Sequence, residues 1–126
     1  MHPGDRRYSE EHEWLKIENE KRAKIGITQF AQKELGDVVF VELPEEGASV
    51  SVNDSFAVVE SVKAVSDIYA PVAGRIVEVN SALADRPELI NEDPYGEGWI
   101  AVIEMTDPSQ VEALMTAEQY QEHVGE

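Results

Sequence analysis

Two strand-like runs, Phe56 to Val62 and Ala64 to Tyr69, meet at Lys63 with no Gly, Asn or Pro at the join. A tight reversal normally needs one of those residues, because they supply the backbone angles that others resist. A chain that turns on Val62-Lys63-Ala64 relies on the strands on both sides to hold the tip rigidly. It also leaves one lysine at the tip of a stiff hairpin, rich in β-branched residues on both sides. Lysine at such a place is by default a solvated surface charge. It is also a flexible stem ending in an amine that can be acylated, which is the geometry of a tether. The small residues Ser61 and Ala64 leave that amine accessible.

The rest of the chain reads as a β core. From His12 to Asn19 the pattern alternates, with Leu15 and Ile17 on one face and Trp14, Lys16 and Glu18 on the other. Asn19-Glu20-Lys21 turns the chain. Ala23, Ile25 and Ile27 then alternate with Arg22 and Lys24, which predicts a hairpin. Thr28 is placed as an N-cap and Gly36 as a C-terminal stop, with Ile27, Phe30, Ala31 and Leu35 at helical spacing between. Val38 to Leu43 is nearly continuous apolar sequence ended by Pro44, which predicts a strand covered on both faces. Residues 80–98 form a long irregular segment with Pro87, Pro94, Gly96 and Gly98. Trp99 to Met105 is the last strand. Asp107-Pro108 opens a helix, and Thr116 with Gln119 forms a capping box for a final short one.

The segment beginning Pro44-Glu45-Glu46-Gly47 is echoed by Pro71-Val72-Ala73-Gly74, an offset of 27 residues that also aligns Asn53 with Asn80. Each copy is a Pro-x-x-Gly turn followed by alternation of period two. Two similar half-units around a pseudo-two-fold, with Lys63 between the copies, suggest a sandwich or flattened barrel. The expected organisation is a loose N-terminal tail over residues 1–7 and one domain over residues 8–126, mainly β with small peripheral helices, ending in C-terminal helices.

Composition narrows the chemistry. With no cysteine, the 126-residue chain has no disulfides, thiolate metal sites or cysteine nucleophile. The three histidines, His2, His12 and His123, are scattered, so no metal site is expected. No glycine-rich phosphate loop is present, and no catalytic set emerges. A formal net charge of −16 disfavours nucleic acid and anionic membranes and favours docking to basic protein surfaces. No apolar stretch has the length of a membrane span, and the N-terminus has neither an apolar signal core nor the length of a presequence. The expectation is a soluble cytoplasmic protein, or a mitochondrial matrix protein only if this is a processed organelle form.

The stretch Glu60-Ser61-Val62-Lys63-Ala64-x-Ser66-Asp67, continued by Ile68-Tyr69-Ala70-Pro71-x-x-Gly74, closely resembles the lipoylation site of the H proteins of the glycine cleavage system. The resemblance runs over roughly residues 8–120. It includes His12-Glu13-Trp14, Gly26-Ile27-Thr28, Leu35-Gly36-Asp37, Val39-Phe40-Val41, Pro87-Glu88-Leu89-Ile90-Asn91 and Asp93-Pro94-Tyr95-Gly96. It implies a lipoyl-domain-like barrel-sandwich hybrid and a non-catalytic carrier, with lipoate attached to Lys63 as N6-lipoyllysine. In that family the arm takes the aminomethyl group of glycine from a pyridoxal-phosphate-dependent glycine decarboxylase. It delivers the group to a tetrahydrofolate-dependent aminomethyltransferase and is reoxidised by dihydrolipoamide dehydrogenase.

The implied partners also include the enzyme that loads the arm, a lipoate ligase or a lipoyl or octanoyl transferase. By the same resemblance, Glu13 contacts the amine of the loaded arm and Asp67 stands at the rim of the sheltering cleft. Glu60, Ser61, Val62 and Ala64 are expected to be read by the lipoylating enzyme and the partners. Lysine plus lipoyl chain reaches on the order of 15 Å, enough to enter a partner's active site from outside. Three other readings use the same hairpin. A biotin carrier usually flanks its lysine with methionines, where this chain has Val62 and Ala64. A lipoyl domain of a 2-oxo acid dehydrogenase lacks the His12-Glu13-Trp14 block. A lipoyl-relay or regulatory homologue, which donates its lipoate to other enzymes, could share this sequence.

Overall fold

The structure is a computed structural model that describes residues 3–125. Nine strands and four short helices follow in order: β1 (Arg7–Tyr8), β2 (Glu13–Ile17), β3 (Arg22–Ile27), α1 (Gln29–Leu35), β4 (Val38–Glu42), β5 (Ser49–Val50), β6 (Ser55–Ser61), β7 (Val65–Tyr69), β8 (Gly74–Val79), α2 (Ala82–Asp85), α3 (Leu89–Glu92), β9 (Ala101–Met105) and α4 (Ala117–Val124). One sheet has the order β1-β2-β3-β9-β8-β5 and the other β4-β6-β7. The sheets pack as a barrel-sandwich hybrid and do not close into one barrel. The main core lies between them, where Ile25, Val59, Ile76 and Ile103 are all fully buried.

Most local signals act where the sequence places them. The β2–β3 hairpin pairs Glu13 with Ile27 and Ile17 with Ala23. Thr28 Oγ1 caps α1 by accepting from Ala31 N at 3.2 Å, and Gly36 ends it at φ 77°. Thr116 and Gln119 close the expected capping box at α4. The echoed turns meet as neighbours: Ser49 pairs with Arg75, and Ile76 N donates to Ala48 O. The 27-residue offset carries the first pair onto the second, so a local two-fold relates them between β5 and β8.

Five expectations change. Residues 1–7 were assigned to a loose tail, but Arg7 pairs with Leu15 in β1. Arg6 lies over the Trp14 ring at 4.7 Å and donates to Tyr95 O at 2.9 Å. Met1 and His2 lie outside the described residues. Trp14 was assigned to the polar face of its strand, yet it is fully buried. A second core of Tyr8, Trp14 and Tyr120, packed with Tyr95 and Trp99, covers that face. The run Val38–Leu43 is covered on one face only: Val38 and Val41 are buried, while Val39 and Phe40 are 55% and 52% exposed. Residues 80–98 carry α2 and α3, which bury Leu83, Leu89 and Ile90. The helix begun by Asp107-Pro108 is a 3-10 helix over Pro108–Ala113 that buries no side chain, which fits its short reach.

Candidate functional site

The lysine turn is built without left-handed backbone. Among the described residues the non-glycine positions with positive φ are His12 and Asn53, so neither Val62 nor Lys63 needs one. The Ser61 hydroxyl replaces that device. Its Oγ accepts from Lys63 N at 3.3 Å and from Ala64 N at 3.0 Å, while Ser61 N donates to Ala64 O at 2.8 Å. A serine used this way closes a turn with its side chain. Val62 N donates outward to Asp37 O at 3.0 Å, which ties the tip to the loop between α1 and β4.

That loop is itself pinned from a distance. Asn91, at the middle of α3, donates through Nδ2 to Gly36 O at 2.8 Å and to Gln32 Oε1 at 2.9 Å. Its Oδ1 accepts from Val38 N at 2.8 Å. The 80–98 segment therefore supports the lysine turn through one amide side chain. The sequence showed Asn91 only as part of a family block; its 53-residue separation from Val38 hides the contact. Gly36 also lies against the lysine. A Cβ there would lie 3.3 Å from Lys63 Cε, so the lysine stem passes close over the glycine.

Around the tip the surface is apolar. Val62 is 70% exposed and Val65 69%, and the pairing of Phe40 with Glu60 and of Glu60 with Val65 places Phe40 in the same sheet region. A cleft of about 400 Å³ begins at Ala64, the residue after Lys63, and includes Val65, Phe30, Leu35 and Ile68 among its lining residues, with Glu11, His12 and Glu34 supplying the polar part. A largely apolar lining with two carboxylates suits a hydrocarbon arm carrying an amine. The residues present thus fit a lipoyl chain on Lys63.

The other expected site residues separate. Glu13 does not line the cleft. It is 2% exposed, and its Oε2 accepts from Tyr69 N at 3.1 Å, while its Oε1 accepts from Ser9 Oγ. Burial pushes its carboxyl up to about 7 against the opposing pull of these two donors. Glu13 thus joins the β1–β2 connection to the start of the post-turn strand's exit. Asp67 is exposed and its Oδ1 accepts from Ser55 Oγ at 3.0 Å, across the β6–β7 pair. It is absent from the cleft lining, which takes Ser66 and Ile68 from either side of it. Glu60 is half-buried and, with Ser61, Val62 and Ala64, stays at the tip. Glu34 was not singled out from sequence, since a charged residue on a short helix reads as solvated face.

The comparisons with known proteins agree along the whole chain. The family model described as Glycine cleavage H-protein matches residues 6–126. The chain is 60% identical over 120 residues to the glycine cleavage system H protein of Bacillus subtilis (strain 168), covering 95% of this chain and 94% of that one. It is 54% identical over 120 residues to the one from Coprothermobacter proteolyticus, with the same coverage of 95% and 94%. The crystal structure of a glycine cleavage system H protein from Mycobacterium marinum matches with a TM-score of 0.92 at 45% identity, covering 99% of this chain and all of that one. Similarity of this extent, in sequence and in fold, places the chain in the glycine cleavage H-protein family.

Proposed function

We propose that this chain is the lipoyl carrier of the glycine cleavage system and that Lys63 Nζ is its point of attachment. The observation that carries the reading is the exposed lysine on a braced turn, with an apolar cleft starting one residue further on. When attached, a lipoyl group supplies the redox-active dithiol that this cysteine-free chain lacks and takes up the aminomethyl unit of glycine.

The chain's own residues then have three tasks. Ser61, Asp37 and Asn91 fix the tip, so that a modifying enzyme meets one geometry at Lys63. Val62, Val65, Val39 and Phe40 offer apolar contact beside the lysine, in a chain whose net charge of −16 steers it toward basic partner surfaces. Glu60 and Ala64 belong to the same surface. Those partners are the pyridoxal-phosphate-dependent decarboxylase, the aminomethyltransferase, dihydrolipoamide dehydrogenase and a lipoate ligase or lipoyl or octanoyl transferase. The cleft shelters the loaded arm from water, with Glu11 and Glu34 placed to face a cationic amine. Glu13, buried outside the cleft lining, would protect the arm from behind it, by holding Ser9 and Tyr69 N in place. Asp67 would act at the outer face beside Ser55. Catalysis belongs to the partners, and the expected cytoplasmic setting is part of the same proposal. Among the described residues no helix is long and apolar enough to cross a membrane.

The test is reconstitution. The chain is lipoylated with a lipoate ligase and mixed with the three partner enzymes, glycine and tetrahydrofolate. Glycine-dependent methylene transfer is expected with the native chain and none with Lys63→Arg. Transfer that survives Lys63→Arg removes Lys63 from the role.

A further inference from the structure

The C-terminal helix reaches the arm cleft through one buried hydroxyl. Tyr120 is fully buried on α4 and stacks on Tyr8 with ring centroids 4.9 Å apart. Its OH lies 2.7 Å from His12 Nδ1 and 2.8 Å from Thr28 Oγ1. His12 and Thr28 are backbone neighbours beyond the end of the β2–β3 pair, and each leads into a different part of the cleft lining. His12 lines it directly and packs its ring on Phe30 at 4.8 Å. Thr28 Oγ1 is the cap of α1, and α1 supplies Phe30, Ala31, Glu34 and Leu35 to the lining. His12 holds its place at a backbone cost, with φ at 73°, a region that non-glycine residues occupy mainly where the surroundings impose it. Its carbonyl accepts from Thr28 N at 3.0 Å.

We propose that Tyr120 is a positioning residue for the arm cleft: from α4 its hydroxyl bridges His12 to the cap of α1 and so holds these two contributors to the lining in place relative to each other. The inference rests on the reading of this cleft as the shelter of the Lys63 arm. It extends that reading to a helix that contributes no residue to the cleft lining.

The bridge is directional. Tyr120 OH has one proton to share between His12 Nδ1 and Thr28 Oγ1. With His12 neutral and its proton on Nε2, Tyr120 donates to His12 and accepts from Thr28. With His12 charged, Nδ1–H donates to Tyr120, and the tyrosine proton turns to Thr28 Oγ1, which already accepts from Ala31 N. Protonation therefore reverses the bridge and loads the α1 cap. The groups facing His12 are His123 and Tyr120 on α4, Glu34 on α1 and Glu11 beside it. Burial and His123 hold His12 below the usual histidine range, against Glu11 and Glu34. The neutral arrangement is thus the resting one at neutral pH.

Tyr120→Phe keeps the stacking on Tyr8 and removes only the bridging oxygen. Three readings are compared with the native chain. The first is the ¹⁵N titration of the His12 ring. The second is backbone amide exchange over Ala31 to Leu35. The third is the rate at which the loaded arm releases ammonia. The titration midpoint is expected to move, exchange to rise about three- to tenfold, as one lost hydrogen bond allows, and release to quicken by a similar factor. An unchanged His12 midpoint and unchanged exchange overturn the bridge. Altered midpoint and exchange with unchanged release overturn its link to the arm, and the Lys63 adduct, measured separately by mass, still reports on the attachment site. Should Tyr120→Phe fail to fold, His12→Asn breaks the other end and is read by amide exchange and release, since asparagine tolerates positive φ.

Discussion

The Ser61–Ala64 turn and the His12–Trp14 segment are built in opposite ways. At the turn, Val62 is 70% exposed, and the lysine is held by backbone bonds and one serine hydroxyl. In the segment, Glu13 and Trp14 are 2% and 0% exposed, and the side chains tie together β1, β2, β7 and the loop before β9. The difference separates two jobs. A group that must visit other proteins has to sit where few contacts depend on it. The platform that aims it has to be rigid, so the contacts concentrate elsewhere. Substitutions at the turn should change modification and leave stability alone, and those in the segment should do the reverse.

The largest break in that comparison is expected from Trp14→Ala. The indole Nε1 donates to Pro94 O at 2.9 Å, Arg6 covers one face, and a Cβ on Gly26 would lie only 2.6 Å from the ring. Losing a side chain packed this closely costs about 3–5 kcal/mol, read from urea unfolding. A loss under about 1 kcal/mol, far below the usual range for such a deletion, would deny the segment its role.

Glu13 gives the next effect, with a pH signature. Its carboxyl titrates near 7 in the fold against an ordinary 4.5. The folded state therefore holds a proton that the unfolded chain has released, and the resulting stabilisation is present below about 4.5 and lost as pH rises through 7. Glu13→Gln cannot ionise and should exceed the native chain by up to about 3 kcal/mol at pH 8, from about 1.4 kcal/mol per unit. Near pH 4 the two should unfold alike. Glu13→Ala behaves differently, because Tyr69 N is left without its acceptor, and should cost about 1–3 kcal/mol near pH 4, a cost that shrinks toward pH 8 because alanine cannot ionise either.

His12 has the opposite and smaller slope. It is held below the ordinary 6.5, so its contribution is present above that pH and is lost as pH falls below it. His12→Asn should flatten the acid side of the stability profile between pH 7 and 5, measured by thermal unfolding in steps of pH. An unaltered profile would leave His12 without electrostatic weight. The smallest effect belongs to Val62→Ala, expected to move stability by less than about 0.5 kcal/mol while slowing lipoylation. A large loss of stability there would erase the contrast between the two regions.

Much of the lysine end was legible because its causes are local. Thr28, Gly36 and the Thr116–Gln119 box each act within a few residues, and each forms as read. Trp14 was misplaced because period two assigns one face to solvent, whereas Tyr95, Trp99 and Tyr120 arrive from the far end of the chain to cover it. Arg6 and Arg7 looked loose for the same reason: Leu114 O, the acceptor from Arg7 Nη1, is 107 residues away. Val39 and Phe40 carry the opposite lesson. An apolar run can be exposed when its sheet has only three strands and one covered face. For the candidate site, Lys63 and its neighbours were read from sequence, while the supports Asn91 and Tyr120 were not, since an Asn in a loop and a Tyr on a short helix have many ordinary uses.

The central claim is that Lys63 carries the lipoyl group. Intact mass and peptide mapping of the protein from its native host test it most directly. The account requires a lipoyl adduct confined to the peptide containing Lys63 and absent from Lys63→Arg. A biotinyl adduct, or a lipoyl adduct that persists in Lys63→Arg, would contradict it.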